Sequence, residues 1–599
     1  MGENVKFQSR APYNFVSFRY QPIRRYQTPE ELPPHDVTDA GLLSGEIRLT
    51  MTAQTPVLVA DGNGERFVTD ADGNYQIPGS TLRGLIRQNM QILGRGLVRS
   101  NEDYQDRRLM YRSMADPSRG MHKKRKWHYT NVLGIQSFEA YNRDGEPVVN
   151  PRNNRAMQYS VAQNVLGGYL HRNRDRYTIV PVQGKVFRIS RKSPLVDQWR
   201  SSYTFTLNVY YQASETEVTA LQLKEAPGYR KGVLLSPGFM WRQNSVYLFP
   251  EEDPNQEVIT LTDEDRLTYQ EDLEWRTNTL RGTQNNMEKR FWELPRDGER
   301  KPVFYLQHHG MTVFGMSQFM RLSYDHRLSE GLFESHRIHQ EELFLDYPYA
   351  LMGYTGKDGN YRSRIQVGNL KAAKLPGEPE PVRVTLGEPK PSFFPNYTFK
   401  GLDYNQQLFQ LNGYKQYWMK DPDPQTSGKD NVSKTVYPLP AGTQFSGTVR
   451  YRNLHPDELG LLLWCLRLEK NCFQTVGMGK PYGYGRMKLS IDALVEDRPE
   501  ELYATLGAVR QPVPDTQGRV AELIAIYQRY GCGFTKVPIC EGLEPGMQYM
   551  GHIKDFLHMK RWIFKQAQEV SYLRLDEHKK VEVSLKPLRS FRLEGSTNR

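Results

Sequence analysis

Residues 44–53, SGEIRLTMTA, alternate apolar and polar side chains, which predicts a strand with one buried face. A polar stretch rich in Gly and Asp follows, DGNGERFVTDADGNYQ, and predicts a loop or hairpin. The next segment, IPGSTLRGLIRQNMQIL, changes period. Leu82, Leu85, Ile86, Ile92 and Leu93 make an apolar stripe, and Ser80 stands where an N-cap would, so a helix is predicted. The same succession returns near the other end. QFSGTVRYRNL (444–454) predicts a strand, and HPDELGLLLWCLRLEK a helix with Pro456 in its first turn and acids at its positive end. After a glycine-rich loop, RMKLSIDALV alternates again as a strand.

Two strand–helix units therefore bracket a long middle. The pattern divides the chain into an N-terminal segment (1–43), a first core half (44–95), a basic and then mixed insertion (96–300), middle blocks (301–373), a Pro-rich excursion (374–440), a second core half with the glycine loop (441–495) and a C-terminal extension (496–599). Within the insertion, SETEV, EEDPNQE and TDEDR have the composition of a solvent-facing stretch. KLPGEPEPVRVTLGEPKPSFFP (374–395) predicts a surface excursion. The extension holds a helical stretch at 519–530 and a strand-like one at 580–588.

Composition narrows the partner. Lys and Arg number 80 against 68 Asp and Glu, a formal charge of +12, which favours a polyanionic partner. The 36 tyrosines suit stacking surfaces and β-rich cores equally. Four cysteines, Cys465, Cys472, Cys532 and Cys540, show no zinc-site spacing and are too few for a disulfide scaffold. No apolar leader or membrane-length segment is evident, so a cytoplasmic chain with no membrane partner is expected.

The stretch VGMGKPYGYGRM concentrates the chemistry. Glycines at 477, 479, 483 and 485 let backbone N–H groups approach an anion. Lys480 and Arg486 add charge, and Tyr482 and Tyr484 add π-faces. The spacing fits neither a P-loop nor a dinucleotide fingerprint; cations, aromatics and glycines coinciding in a basic chain point to a backbone clamp for nucleic acid, the other reading being a glycine-rich turn before a strand with its tyrosines packed on neighbours. In IPGSTLRG, Ser80 opens the helix, and Arg83 and Arg87 lie one turn apart on one face. That arrangement suits a phosphodiester, and taken alone it reads first as an ordinary capped helix with solvated arginines. HKKRKWHY contributes Lys124, Arg125 and Lys126 beside Trp127 and Tyr129, as a binding loop or a solvated charge run. His308 and His309 of QHHGM are candidate general bases, although satisfied or RNA-contacting histidines describe them as well.

The IPGSTLRG helix start (I-P-G-S-x-x-[KR]-G) together with the late G-x-G-K-x-x-G-x-G loop resembles the RAMP superfamily of CRISPR systems, more narrowly the backbone-type subunits of type III effector complexes. VFGMSQFMRLSYDH (313–326) and LMGYTGKDGNYRSRIQVGNLKAA (351–373) look like further blocks of that family and bring in Arg321 and Arg364. The resemblance implies an α+β fold: a ferredoxin-like (RRM-like) βαββαβ core with large insertions and a C-terminal extension. It implies an RNA-binding set of Ser80, Arg83, Arg87, Lys124, Arg125, Lys126, Arg321, Arg364, Gly479, Lys480, Tyr482, Gly483, Tyr484, Gly485 and Arg486. The implied partners are CRISPR RNA, complementary target RNA and other type III subunits. In target-cleaving relatives an aspartate after the first strand works with a divalent metal. Here Asp61 is the candidate catalyst and ligand for Mg²⁺, with Glu65, Asp70 and Asp72 nearby. The alternatives are a metal-independent guide-processing ribonuclease using His308 or His309, and a purely structural capping subunit.

Overall fold

The computed structural model describes residues 11–112, 128–139, 158–190, 193–199, 204–238, 245–279, 290–357, 359–373, 375–386, 394–424, 433–498, 509–530 and 551–563, with short pieces between them. It divides into two compact units, residues 1–106, 329–403 and 408–599 in the first and 107–328 with 404–407 in the second. Both carry mixed helix and strand.

The first unit is organised around one antiparallel sheet. Its elements in chain order are β1 (Leu43–Ala53), β2 (Gln76–Ile77), α1 (Gly79–Leu93), β3 (Ile365–Val367), β4 (Leu370–Ala372), β5 (Gln444–Leu454), α2 (Pro456–Arg467), β6 (Gln474–Thr475), β7 (Arg486–Glu496), α3 (Thr516–Tyr530) and α4 (Gly551–Lys560). The order across the sheet is β6-β7-β1-β5-β4-β2, with β3 also on β5. β1 is therefore central, and Leu49 lies opposite Gly447 on one side and Ile491 on the other. The alternation in SGEIRLTMTA does what it predicts. Ile47, Leu49, Met51 and Ala53 are buried, and Arg48 is exposed. That buried face shares one core with Leu82, Ile86 and Met90 of α1, Leu459, Leu463 and Trp464 of α2, and Val520, Leu523 and Tyr527 of α3. On the opposite face Arg48, Ser446, Arg450, Arg452, Ser490 and Asp492 are exposed.

Two local expectations are corrected. Ser80 does not cap α1, because Pro78 occupies the N-cap position and lacks a side-chain acceptor. Asn369 replaces it across the sheet, its Oδ1 accepting the Gly79 N–H at 2.8 Å. The acids opening α2 are not there for the helix dipole alone. Glu458 accepts the His455 N–H at 2.9 Å, closing a capping box, and its carboxylate is fully buried against Arg364.

The second unit is more ordered than its polar composition suggests. Phe187–Ser190, Thr206–Ala213, Val218–Gln222, Arg230–Leu235 and Ser245–Pro250 form a five-stranded antiparallel sheet over Val209, Leu234 and Leu248. A second five-stranded sheet contains the hairpin Arg300–His308 and Met311–Gly315. The acidic runs sit between these elements. SETEV joins two strands, and TDEDR opens the helix Asp263–Thr279, where Thr262 and Asp265 cap each other's N–H at 2.9 and 3.1 Å. The middle blocks divide between the units, with 313–326 in the second and 351–373 in the first.

Candidate nucleic-acid interface

The glycine-rich loop connects β6 to β7. All four glycines have left-handed φ, between 73° and 82°. A Cβ at Gly477 would stand 2.2 Å from the Leu58 carbonyl, and at Gly485 1.9 Å from the Val476 carbonyl. A Cβ at Gly483 would stand 2.7 Å from the Asp421 carbonyl, less tightly but still below ordinary contact. The glycines thus serve the packing of the loop on the segment that leaves β1, on itself at Val476 and on Asp421. Its N–H groups are largely spent the same way. Met478 donates to Leu58 (2.8 Å), Gly485 to Pro56 (2.8 Å), Tyr482 and Tyr484 to Gly479 (2.8 and 3.2 Å) and Gly483 to Lys480 (3.1 Å). The expected row of amides facing an anion is corrected accordingly.

The tyrosines are corrected as well. Tyr482 is wholly buried, its hydroxyl donates to the Thr385 carbonyl, and its ring lies 4.7 Å from that of Tyr572. Tyr484 is 4 % exposed and packs beneath Gly479. Burial pushes both hydroxyls above the ordinary tyrosine range, so neither ring is a platform for a base. What the loop presents at the surface is charge. Lys480 is half-buried on a single 3₁₀ turn between Gly479 and Gly483, and burial pulls its amine below the ordinary lysine range. Arg486 Nη1 stands 3.3 Å from Asp421, and its guanidinium lies 5.7 Å from the Phe473 ring and 5.3 Å from Trp562.

The other expected RNA contacts scatter. Ser80 is exposed on the first turn of α1. Arg83 remains exposed and gives one donor to the Met352 carbonyl at 2.8 Å. Arg87 is held by Asp103 at 2.8 Å and Glu102 at 3.6 Å. Arg364 is a core residue, 3 % exposed. It is forked onto Glu458 at 2.5 and 2.8 Å and bonded to the Ala350 and Asn453 carbonyls, and a guanidinium buried in these bonds is not available to RNA. Arg321, in the second unit, donates to the Met110 carbonyl at 2.8 Å and lies 3.3 Å from Asp272. Lys124, Arg125 and Lys126 lie outside the described residues, while Tyr129 nearby is wholly buried rather than surface-presented.

Asp61 occupies a tight turn and accepts the N–H groups of Asn63 and Glu65 at 3.1 and 3.3 Å. Asp70 does the same for Asp72 and Asn74 at 3.0 and 2.9 Å, and it stands 3.3 Å from Lys371. Both are turn residues by geometry, and among the described residues no group of three His, Cys, Asp or Glu is placed to hold a metal ion.

The histidine pair is organised. His309 and Gly310 form the two-residue turn of the hairpin, with φ of 50° and 75°. His309 Nδ1 stands 3.2 Å from both carboxylate oxygens of Asp325. The His308 ring stacks on His309 at 3.9 Å, with His128 at 6.1 Å. Burial, and then His309 and His128, pull His308 below the ordinary histidine range.

No protein-family profile matches this chain, and a comparison with curated proteins returns no match. Among the described residues no helix is long and apolar enough to cross a membrane.

Proposed function

We propose that the chain is an RNA-binding subunit of a type III CRISPR effector complex, built on a ferredoxin-like RAMP core and partnered by CRISPR RNA, target RNA and other subunits of that complex. The observation that carries this reading is the path of the chain through the sheet. β1–α1–β3/β4–β5–α2–β7 with the antiparallel order β7-β1-β5-β4 is the arrangement a βαββαβ core requires, and the glycine-rich loop sits where β7 begins, against the exit of β1. Lys480 and Arg486 then face a sugar–phosphate backbone. With the tyrosines buried, the grip is electrostatic and indifferent to base sequence, as a guide-holding surface must be. The test is fluorescence anisotropy with labelled single-stranded RNA at low salt. The wild type should bind, and Lys480→Gln with Arg486→Gln should lose on the order of tenfold in affinity with a shallower salt dependence. A wild type that fails to bind RNA overturns the reading.

A second reading, metal-independent cleavage of RNA, is favoured over Asp61 chemistry by the Asp325–His309 pair. One imidazole would take the 2′-hydroxyl proton as O2′ bonds to phosphorus. The P–O5′ bond would then break, with the leaving oxygen taking its proton from a second histidine in its imidazolium form, giving a cyclic phosphate and a 5′-hydroxyl. Cleavage that persists in EDTA and is lost in His309→Gln supports it; cleavage abolished by EDTA sinks it.

A further inference from the structure

Cations from three parts of the first unit converge on the chain edge at Cys472, Phe473 and β6. Arg486 and Lys488 come from β7. The Lys488 ammonium lies 5.4 Å from the Phe473 ring and donates to the Cys472 carbonyl at 3.4 Å, and Arg486 faces the same ring. Lys480 comes from the glycine loop. Lys560 and Arg561 come from the end of α4, which is docked on this edge: the Phe473 N–H donates to the Lys560 carbonyl at 2.8 Å, and Arg561 bridges Cys472. Trp562 follows and packs on Arg486.

These charges are poorly answered. Asp421 meets Arg486 at 3.3 Å, and Glu469, beside Cys472, is engaged by the Trp464 indole at 3.0 Å. Among the described residues no carboxylate pairs with Lys480, Lys488, Lys560 or Arg561 within ion-pair distance. Lys560 is wholly buried. Among the described residues its amine hydrogen-bonds only the Thr475 hydroxyl, at 3.1 Å, and Lys480 is the charged neighbour that weighs most on it. Among the described residues, the Nε–H groups of both Arg486 and Arg561 are buried without a hydrogen-bond partner. Two guanidiniums, two half-buried ammonium groups and a buried amine thus present converging donors suited to an anion with several acceptor oxygens. A tetrahedral oxyanion matches that donor set.

We propose that this edge is a phosphate site, at which a backbone phosphate of the bound RNA strand is held by Lys480, Arg486, Lys488 and Arg561, with Lys560 adding its field from below. The assignment rests on the RNA-binding reading above and gives the C-terminal helix α4 a role in it. The glycine loop then marks one end of a longer contact, and the strand continues along β6.

The experiment uses the full chain and residues outside the glycine loop. Lys488→Gln with Arg561→Gln should bind labelled single-stranded RNA about tenfold more weakly than wild type, with a salt slope reduced by about one ion per side chain removed. Wild-type affinity and slope in this variant, while wild type binds RNA, overturn the site and leave the RNA-binding reading standing. If wild type binds no RNA, that reading falls, and a thermal-shift titration with pyrophosphate decides the site. Stabilisation lost in the double variant keeps it as an anion site, and no stabilisation of wild type ends it. Should the variant fold poorly, amine-reactive footprinting of the unaltered chain replaces it. RNA must shield Lys480 and Lys488, and labelling that RNA leaves unchanged overturns the proposal.

Discussion

Arg364 and Arg83 are indistinguishable as arginines in family-like blocks, and they have opposite fates. Arg364 is buried in a forked ion pair with Glu458, whose own carboxyl burial would raise and Arg364 holds below the usual range. Removing one member of such a pair strands the other, so Arg364→Ala should cost about 3–5 kcal/mol in urea unfolding, against less than about 0.5 kcal/mol for exposed Arg83→Ala. His336 carries a second test. It is wholly buried, its Nδ1 accepts the Val98 N–H at 3.2 Å, and its Nε2–H donates to the Phe18 carbonyl at 2.9 Å. Burial pulls it down to about 4, and burial pulls His552 to about 3. Both stay neutral in the folded protein while the unfolded chain takes up protons near pH 6.5. Stability should therefore be full above that pH and fall as pH drops from about 6.5 toward 4, by up to about 1.4 kcal/mol per pH unit for each histidine. Denaturant midpoints measured across that range check it, and His336→Gln should flatten the fall.

At the scale of elements, two glycines of the motifs behave differently. Gly485 has φ 73°, and a Cβ there would meet the Val476 carbonyl at 1.9 Å. Gly84 lies in the exposed first half of α1, and a Cβ there meets nothing within 4 Å. Gly485→Ala should destabilise by more than about 1 kcal/mol and weaken RNA binding by distorting the loop, whereas Gly84→Ala should stabilise by about 0.5–1 kcal/mol. Thermal melts of the two variants separate these outcomes. The elements themselves were readable. β5 runs over the residues its alternation predicts, and β1 and α2 begin within a residue or so of expectation. The caps were less so. A side chain 290 positions from Gly79 caps α1, and nothing local to IPGSTLRG announces Asn369.

For the whole molecule, charge is the property that reaches the partner. The excess of cations in the composition becomes local at the glycine loop and along β6, where carboxylates are few. RNA affinity should therefore fall steeply with salt, with a logarithmic slope of about −0.7 per phosphate neutralised on a single strand. A titration from low to physiological salt that leaves affinity unchanged would show that binding does not come from this surface. The second unit was the least legible part. Its strands are short, and the acids in their turns dominate a composition window, so two five-stranded sheets read as a polar insertion.

The sequence alone determined where β1, α1, β5, α2, β7 and α3 of the first unit run, because a two-residue or 3.6-residue apolar period is a property of neighbours along the chain. It also determined where glycine must stand and that the chain carries excess positive charge. Only the tertiary structure decided what those residues face. It buried Tyr482, Tyr484 and Arg364, turned Asp61 onto its own backbone, set Asp325 against His309, and brought α4 to the edge at β6. Each of these depends on the burial and approach of segments far apart in sequence, and burial is a property of packing that no local pattern contains.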